Sequence, residues 1–395
     1  MPTNAIAAAL DSIVLGPSVV VHNLTMIPLL AKPASALTLR TPSTLSTSST
    51  PSTTRSTLST SSTPSTLSTS TRSTRGTPST LSTDTGTAGA RAEYVVLDEA
   101  LSDGVVEITE VSEQGSVPDL KFVNRGARPV LIVDGEELLG AKQNRVVNLS
   151  ILVAANSELT IPVSCVEAGR WRSRSRHFTA APRTQYATGR AKRMADVSLS
   201  MMVRGERVSD QAGVWEDIAA KACRLEADSP TSAMEAIFER HVGSIDEYVA
   251  GCRSVEGQVG ALFFVGETLI GFDLFDRPST LSKLLPKLVR SVAVDAIDAA
   301  ANADSAHRAS RGFRLPRPER ADASRRQAED DASREHADLT IRARAEQFLA
   351  VASEAPQHVT AAMGLGEDLR LTAPRVAGAA LVTDAHVVHL GAFAL

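Results

Sequence analysis

Residues 129–171 read PVLIVDGEELLGAKQNRVVNLSILVAANSELTIPVSCVEAGRW, a stretch in which dense polar chemistry lies between strand-like apolar runs. The β-branched run VLIV suits a buried strand and stops at Asp134-Gly135, which is a turn signal. The alternation of apolar and polar residues in VVNLSILV is typical of a half-buried strand. The pattern predicts a β-hairpin or a crossing pair of strands whose connection is GEELLGAKQNR.

The predicted connection carries side chains that suit an anion. Lys142 and Arg145 supply positive charge for a phosphate or a carboxylate, and Gln143 and Asn144 supply amides that fix orientation. A solvated loop with a Glu to Lys or Glu to Arg ion pair explains the same residues, because loops are usually polar and surface ion pairs are common. Both interpretations stand at this point.

Glu136 and Glu137 are candidates for a general acid and base. Adjacent residues on a strand point to opposite faces, so the two carboxyl groups share a site only if a turn or helix forms there. An extended segment therefore separates them.

The second half of the stretch offers a thiol and a charged turn. Cys165 alternates in phase with Ile161 and Val163, which indicates a small core residue. A nucleophilic thiolate needs a His or a cation beside it, and both occur nearby in sequence. Glu167 and Arg170 bracket a Gly-containing turn, where we expect either a salt bridge that closes the turn or a role for Glu167 as a base.

Two strings, DGEELLGAKQNRVVNLSILV and IPVSCVEAGRW, are similar to the signature of the ARG and rhodanese-phosphatase-superfamily-associated protein domain, a largely uncharacterised bacterial family. Flanking strings such as YVVLDEALSDGVVEITEV and GAALVTDAHVVHLGAF also resemble it, so the likeness covers most of the chain outside two polar insertions. The positions that carry the resemblance are Gly135, Glu136, Glu137, Gly140, Lys142, Gln143, Asn144, Arg145, Asn148, Cys165, Glu167, Arg170 and Trp171.

The resemblance implies association with ADP-ribosylglycohydrolases and with rhodanese or phosphatase domains. A ligand related to ADP-ribose or to another nucleotide is implied by that association alone, since function belongs to sites and not to folds. The resemblance carries over no catalytic residue.

Composition divides the chain. Residues 41–92 consist largely of Ser, Thr, Pro and Leu, with TPSTLST at 41–47, 63–69 and 77–83. The irregular spacing excludes a solenoid and predicts a disordered insertion, with a glycosylated stalk as the alternative.

Residues 304–338 alternate Arg with Asp and Glu, which predicts a charged, poorly ordered second insertion. Residues 1–40 and 93–395 are expected to form one α+β domain or two closely packed halves.

The remaining pattern predicts the fold class. Residues 261–275 and 379–390 are each typical of a hairpin, and Pro278 opens a helix with Leu at helical spacing. Since β-rich segments flank a helical middle, we expect an α+β protein. Its antiparallel β-rich core comes from the N-terminal and C-terminal segments, with a central helical section between them.

A basic stretch runs from Arg170 to Arg193. It contains eight Lys or Arg residues without Asp or Glu, although the whole chain has a net charge of −4. Trp171, Phe178 and Tyr186 interleave with them, a composition typical of a groove for phosphates and stacked bases. A mobile, solvated basic loop is the competing interpretation, and a basic lid over an anionic ligand satisfies both.

Metal, cofactor and membrane signals are weak. The three cysteines are far apart and the histidines are scattered, so we expect no metal site, no disulfide framework and no cofactor. The N-terminal segment has no basic region before its short apolar stretch, and the chain has no apolar run of about 18 residues. These features predict a reducing cytoplasm and no membrane partner, and they leave the oligomeric state open.

Three hypotheses follow. The first is a binding module for an anionic nucleotide-derived ligand that uses Lys142, Arg145 and Arg170 for charge, Gln143 and Asn144 for orientation, and Trp171 beside them. The second is a hydrolase or transferase with Glu137 or Glu167 as the base. The third is a protein-interaction scaffold. The sequence does not decide whether the protein is an enzyme.

Overall fold

The structure is a computed structural model that describes residues 4–33, 93–113, 115–310 and 323–395, with side chains described outside residues 304–335. The strands of this part of the chain are β1 (Ile13–Leu15), β2 (Val19–Val21), β3 (Leu24–Ala31), β4 (Val95–Val96), β5 (Val106–Glu110), β6 (Asp119–Asn124), β7 (Val130–Ile132), β8 (Glu136–Gly140), β9 (Arg145–Val147), β10 (Ile151–Val153), β11 (Ser157–Cys165), β12 (Phe178–Thr184), β13 (Gln258–Val265), β14 (Thr268–Phe275), β15 (Gln357–Ala361), β16 (Glu367–Ala373), β17 (Val376–Thr383) and β18 (His386–Ala394). The helices are α1 (Ala5–Asp11), α2 (Leu97–Ser102), α3 (Ala187–Arg204), α4 (Gln211–Arg224), α5 (Glu235–Arg240), α6 (Val242–Gly251), α7 (Pro278–Ser310) and α8 (Ala323–Glu354).

The largest sheet joins the two ends of the chain. Its strands run in the order β1, β3, β13, β14, β18, β17, β16, β15, with β2 also paired to β3, and every neighbouring pair is antiparallel. The hairpins β13–β14 and β17–β18 are the two that the sequence predicts. The predicted α+β class is confirmed, with an antiparallel core drawn from both ends of the chain and helices between them.

Helices cover both faces of this sheet because successive strand residues point to opposite sides. Phe263 of β13 packs in the core cluster that includes α7, and Phe264 packs in the cluster that includes α1 and α8. The helix α7 begins at Pro278 as predicted, and its buried side chains recur at helical spacing. Those side chains are Leu281, Leu284, Leu285, Leu288 and Val292.

Two smaller sheets contain the signature residues. One has the strand order β12, β8, β9, β11, β6, β5, and the other has the order β10, β7, β4. β7 pairs with β10, while β8 pairs with β9 between them. The expected connection GEELLGAKQNR is therefore a second hairpin nested inside the first. The alternative interpretation of this connection as a solvated loop is wrong, because most of its polar side chains are buried and bonded to other parts of the protein.

Parts of two predicted segments lie outside the described residues. The Ser/Thr-rich insertion at 41–92 lies wholly outside them, as do residues 311–322 of the charged segment. On either side of that gap, the backbone of α7 continues to Ser310 and α8 begins at Ala323. In the part of the chain that the structure describes, no helix is both long enough and apolar enough to cross a membrane.

Candidate functional site

Strands β8, β9, β11 and β12 bring the polar signature residues together. Arg145 at the start of β9 lies opposite Leu138 on one neighbouring strand and Cys165 on the other. The turn into β9 starts at Gly140, where φ is 130° and an added Cβ would lie 2.8 Å from the His177 carbonyl oxygen. Only glycine fits this close approach of two backbones.

Arg170 and Glu167 form a buried ion pair, with 2.6 Å between Nη2 and Oε2. This is the salt bridge expected to close the turn. The Asn144 backbone N–H donates to Glu167 Oε2 at 3.1 Å, and the Thr231 hydroxyl donates to Oε1 at 2.8 Å. Burial alone would raise the pKa of Glu167, but these hydrogen bonds and the Arg170 charge lower it. Both carboxylate oxygens are occupied by protein donors, which favours a structural role for Glu167.

Glu137 lies beside Arg183, a residue that the sequence analysis did not select. Arg183 Nε donates to Glu137 Oε2 at 2.6 Å, and its Nη2 lies 3.5 Å from an oxygen of Glu235. Glu137 is fully buried, and its Oε1 has no hydrogen-bond partner in the described part of the chain. Burial raises the pKa of Glu137 despite the Arg183 charge. A buried carboxyl group with a raised pKa and an unused oxygen is suited to accepting a proton.

Glu136 points the other way. Lys287 of α7 donates to its Oε1 at 2.7 Å, and the Val133 backbone N–H donates to its Oε2 at 2.8 Å. The two neighbouring glutamates therefore lie on opposite faces of β8, as an extended strand requires. They do not form an acid and base pair.

Arg145 is buried, and no described carboxylate lies within ion-pair distance of its guanidinium. Its Nη1 donates to the Gln143 side-chain oxygen at 3.0 Å, whereas Nε and Nη2 have no hydrogen-bond partner among the described residues. No described acidic side chain forms an ion pair with it. Burial lowers its pKa, although the more distant charges of Glu110 and Glu167 act in the opposite direction. The guanidinium remains charged over the accessible pH range, so the site contains a cation whose charge the described protein does not balance by direct contact.

Gln143 and Asn144 position this cluster through their side chains. Gln143 Nε2 donates to the Glu167 carbonyl at 3.0 Å while its oxygen accepts from Arg145. Asn144 Oδ1 accepts from the Gly140 N–H and from Arg170, and its Nδ2 donates to Glu235. Both amides are buried and bonded to protein. We call the set Glu137, Gln143, Asn144, Arg145, Glu167, Arg170, Arg183 and Glu235 the signature cluster.

Trp171 connects the signature cluster to the surface. Its side chain is 50% exposed, with Lys142 Nζ at 5.2 Å and the Arg145 guanidinium at 6.0 Å from the ring centroid. Both cations are within cation–π range. A surface cleft of about 850 Å³ is lined in part by Lys142, Ser173 and Arg176, together with four glutamates. Arg145 thus lies beneath an aromatic ring that faces solvent.

Cys165 is fully buried on the strand next to Arg145. Burial raises the pKa of its thiol, although the Glu167 N–H and the Arg145 charge act in the opposite direction. The thiol form therefore predominates at neutral pH, which fits the small core residue that the alternating pattern indicates.

The basic stretch does not form one groove. Arg170, Arg183, Arg190 and Arg193 are buried and ion-paired, whereas Arg172, Arg174 and Arg176 are exposed. Phe178 and Tyr186 are buried, so Trp171 alone of the three aromatic residues presents a ring to solvent. The expected interleaving of cations and stacking rings over the whole stretch is wrong, because β12 and α3 carry its second half into the core.

A second polar group lies between α3 and the large sheet. Arg190 makes a two-pronged contact with Asp273 at 3.0 and 2.9 Å, and Arg193 Nη2 donates to Asp134 at 2.7 Å. His389 bonds both Asp273 and Ser150 through its ring nitrogens. We call Asp134, Ser150, Arg190, Arg193, Asp273 and His389 the α3 network. The sequence did not predict this network. Its two arginines lie in the basic stretch, and Asp134 belongs to the predicted turn at Asp134-Gly135.

These observations define a class: an α+β protein with two buried arginine and carboxylate groups between antiparallel sheets and a central set of helices. Within the described ranges, no group of three or more His, Cys, Asp or Glu side chains is arranged to hold a metal ion.

The sequence profile described as ARG and Rhodanese-Phosphatase-superfamily-associated Protein domain matches residues 81–393, and the chain belongs to that family. The resemblance seen in the signature is thereby confirmed. No curated protein and no solved structure matches the chain significantly.

Proposed function

We propose that the signature cluster binds an anionic, nucleotide-derived ligand of the ADP-ribose type, with a phosphate group at Arg145. The observation that carries the proposal is the state of Arg145, which is fully buried and has two side-chain nitrogen atoms without hydrogen-bond partners among the described residues. A buried cation without a counter-ion in direct contact is costly, and a ligand phosphate would supply both a contacting charge and hydrogen-bond acceptors.

Trp171 supports a ligand with an aromatic base. Its half-exposed ring lies within cation–π distance of Lys142 and Arg145, so a ring stacked on its free surface would lie beside two cations. Stacking on an aromatic side chain contributes about 1–3 kcal/mol per base. Base and phosphate together describe a nucleotide, and the family name implies association with ADP-ribosylglycohydrolases.

The test is a thermal-shift screen of the full chain against ADP-ribose, NAD, ATP, pyrophosphate and short RNA. A ligand that binds the native state raises the melting midpoint by mass action. We expect ADP-ribose and pyrophosphate to raise the midpoint of the wild type but not that of Arg145→Met. Arg172→Met removes an exposed arginine nearby and should respond like the wild type.

The screen also decides between partners. A shift with short RNA alone that disappears in Arg172→Met would assign the exposed arginines to nucleic acid and overturn the small-ligand proposal. If no compound shifts the wild type and the Arg145 and Glu167 variants unfold, the scaffold hypothesis takes its place.

An enzyme is the second candidate, and Glu137 favours it. Its unpartnered Oε1 and raised pKa suit a general base, whereas Glu167 has both oxygens occupied. Turnover of an ADP-ribose-type substrate that is lost in Glu137→Gln, with ligand binding retained, would establish it. Retention of turnover in Glu137→Gln would remove Glu137 from that role.

We place this function in a reducing cytoplasm. Cys165, Cys223 and Cys252 are free thiols, and Cys223 is exposed. Labelling of Cys223 by a thiol reagent in intact cells, before lysis, tests this placement, since an oxidising compartment would leave the exposed thiol modified.

A further inference from the structure

In the α3 network, a serine, a histidine and an aspartate are linked one to the next by hydrogen bonds. Ser150 Oγ lies 2.7 Å from His389 Nδ1, and His389 Nε2 lies 3.0 Å from Asp273 Oδ1. The three residues come from the β9–β10 connection and from the adjacent strands β18 and β14. None of them belongs to the signature cluster.

The direction of these hydrogen bonds follows from their chemistry. Burial alone would raise the pKa of Asp273, but the Arg190 charge and the His389 hydrogen bond hold it well below its usual range. An ionised carboxylate only accepts, so the Nε2 nitrogen of His389 carries the proton. A ring protonated on Nε2 alone accepts from the Ser150 hydroxyl at Nδ1, which lies 2.7 Å away. This is the arrangement in which a histidine takes a proton from a serine.

The surrounding contacts hold this arrangement in place. Arg190 bonds both oxygens of Asp273, the Phe275 ring stacks on the imidazole at 4.8 Å, and the Asp134 N–H donates to Ser150 Oγ at 3.0 Å. His389 and Asp273 are buried, while Ser150 is partly exposed. Of the three residues, Ser150 is therefore the one with partial exposure to solvent.

We propose that Ser150 is a nucleophile, His389 its general base and Asp273 the positioning residue, in a second site that cleaves an activated acyl ester. The Ser150 oxygen forms a bond to the carbonyl carbon as its proton passes to His389 Nδ1. The bond from carbon to the leaving oxygen then breaks, and His389 returns the proton to that oxygen. Water releases the acyl group from Ser150 by the same two proton transfers.

The test is covalent labelling of the full chain with an alkyl fluorophosphonate, followed by peptide mass spectrometry. In this reaction the serine oxygen bonds phosphorus, the P–F bond breaks, fluoride leaves and the serine proton passes to His389. We expect Ser150 to be labelled in the wild type, and labelling to fall at least tenfold in His389→Gln. Turnover of p-nitrophenyl acetate should disappear in Ser150→Ala.

Ser157→Ala is the matched control. Ser157 is also partly exposed, but its hydroxyl donates to the Ala154 carbonyl and contacts no histidine. Its removal should change neither labelling nor turnover. An unlabelled Ser150 in wild-type protein that melts cooperatively would overturn the proposal, as would labelling that persists unchanged in His389→Gln. The first result requires no variant to fold.

Discussion

Arg190 and Arg145 are both fully buried arginines, yet their surroundings differ in one respect. Arg190 meets Asp273 through two nitrogen atoms and Asp134 through a third. Arg145 meets no described carboxylate and leaves two nitrogen atoms without partners. Burial lowers the pKa of Arg145, whereas the two aspartates raise that of Arg190 in spite of burial. The paired arginine suits a structural role, and the arginine without a contacting carboxylate is the one that we propose binds an anion.

The largest effect is expected at the balanced cation. Arg190→Met leaves Asp273 and Asp134 with less compensation in the core, and removal of one partner from a buried pair costs about 3–5 kcal/mol. We predict a loss of that size in the free energy of unfolding, measured by urea denaturation. The control is Lys192→Met on the same helix, where the side chain is largely exposed and the expected loss is about 1 kcal/mol or less.

The dependence of stability on pH tests the contribution of Asp273, the carboxylate that pairs with Arg190. Because the pKa of Asp273 is lower in the folded protein than the value of about 3.9 for a free aspartate, its ionised form stabilises the fold. That contribution is complete above the unfolded pKa and is lost as the pH falls through the folded pKa. We predict that the stability difference between wild type and Asp273→Asn falls as the pH is lowered below about pH 4. A difference that stayed unchanged between pH 5 and pH 2 would contradict this balance of charges.

Arg145→Met tests whether Arg145 and Arg190 differ in their contribution to stability. Replacing a buried, unbalanced cation with an apolar side chain of similar length should leave the free energy of unfolding unchanged or raise it by about 1–2 kcal/mol. Urea denaturation of the ligand-free protein measures it. A loss as large as that of Arg190→Met would show that Arg145 is structural.

The smallest effect is expected at Trp171. Its half-exposed ring adds little to the folded state, so Trp171→Ala should leave the melting midpoint almost unchanged. Loss of a stacking surface should weaken binding of ADP-ribose by roughly tenfold or more, while pyrophosphate, which has no base, should bind as before. Equal losses for both ligands would remove Trp171 from base recognition.

The fold class was predictable because it depends on local patterns. Alternation in the two terminal hairpins and Leu at helical spacing after Pro278 are both visible in the sequence, and both are confirmed. The nested hairpin was not predictable, since GEELLGAKQNR is polar and polar runs usually face solvent. In the folded protein, hydrogen bonds to buried residues replace those to water, and these residues belong to other strands and helices.

The candidate site was predictable only in part. Arg145 and Arg170 carry the family signature, but Arg183 and Glu235 complete the cluster from β12 and α5, outside that signature. The α3 network joins residues up to 239 positions apart, as between Ser150 and His389. Pairings over such distances arise from the order of strands in the sheets, which hydrophobic periodicity does not specify.

Calorimetric titration of pyrophosphate and ADP-ribose into the full chain tests the central claim most directly. The wild type and Arg172→Met should bind both ligands, and Arg145→Met should bind neither while melting at the wild-type temperature or above. The contradicting result is an Arg145→Met protein that binds as the wild type does, or a well-folded wild type to which neither anion binds.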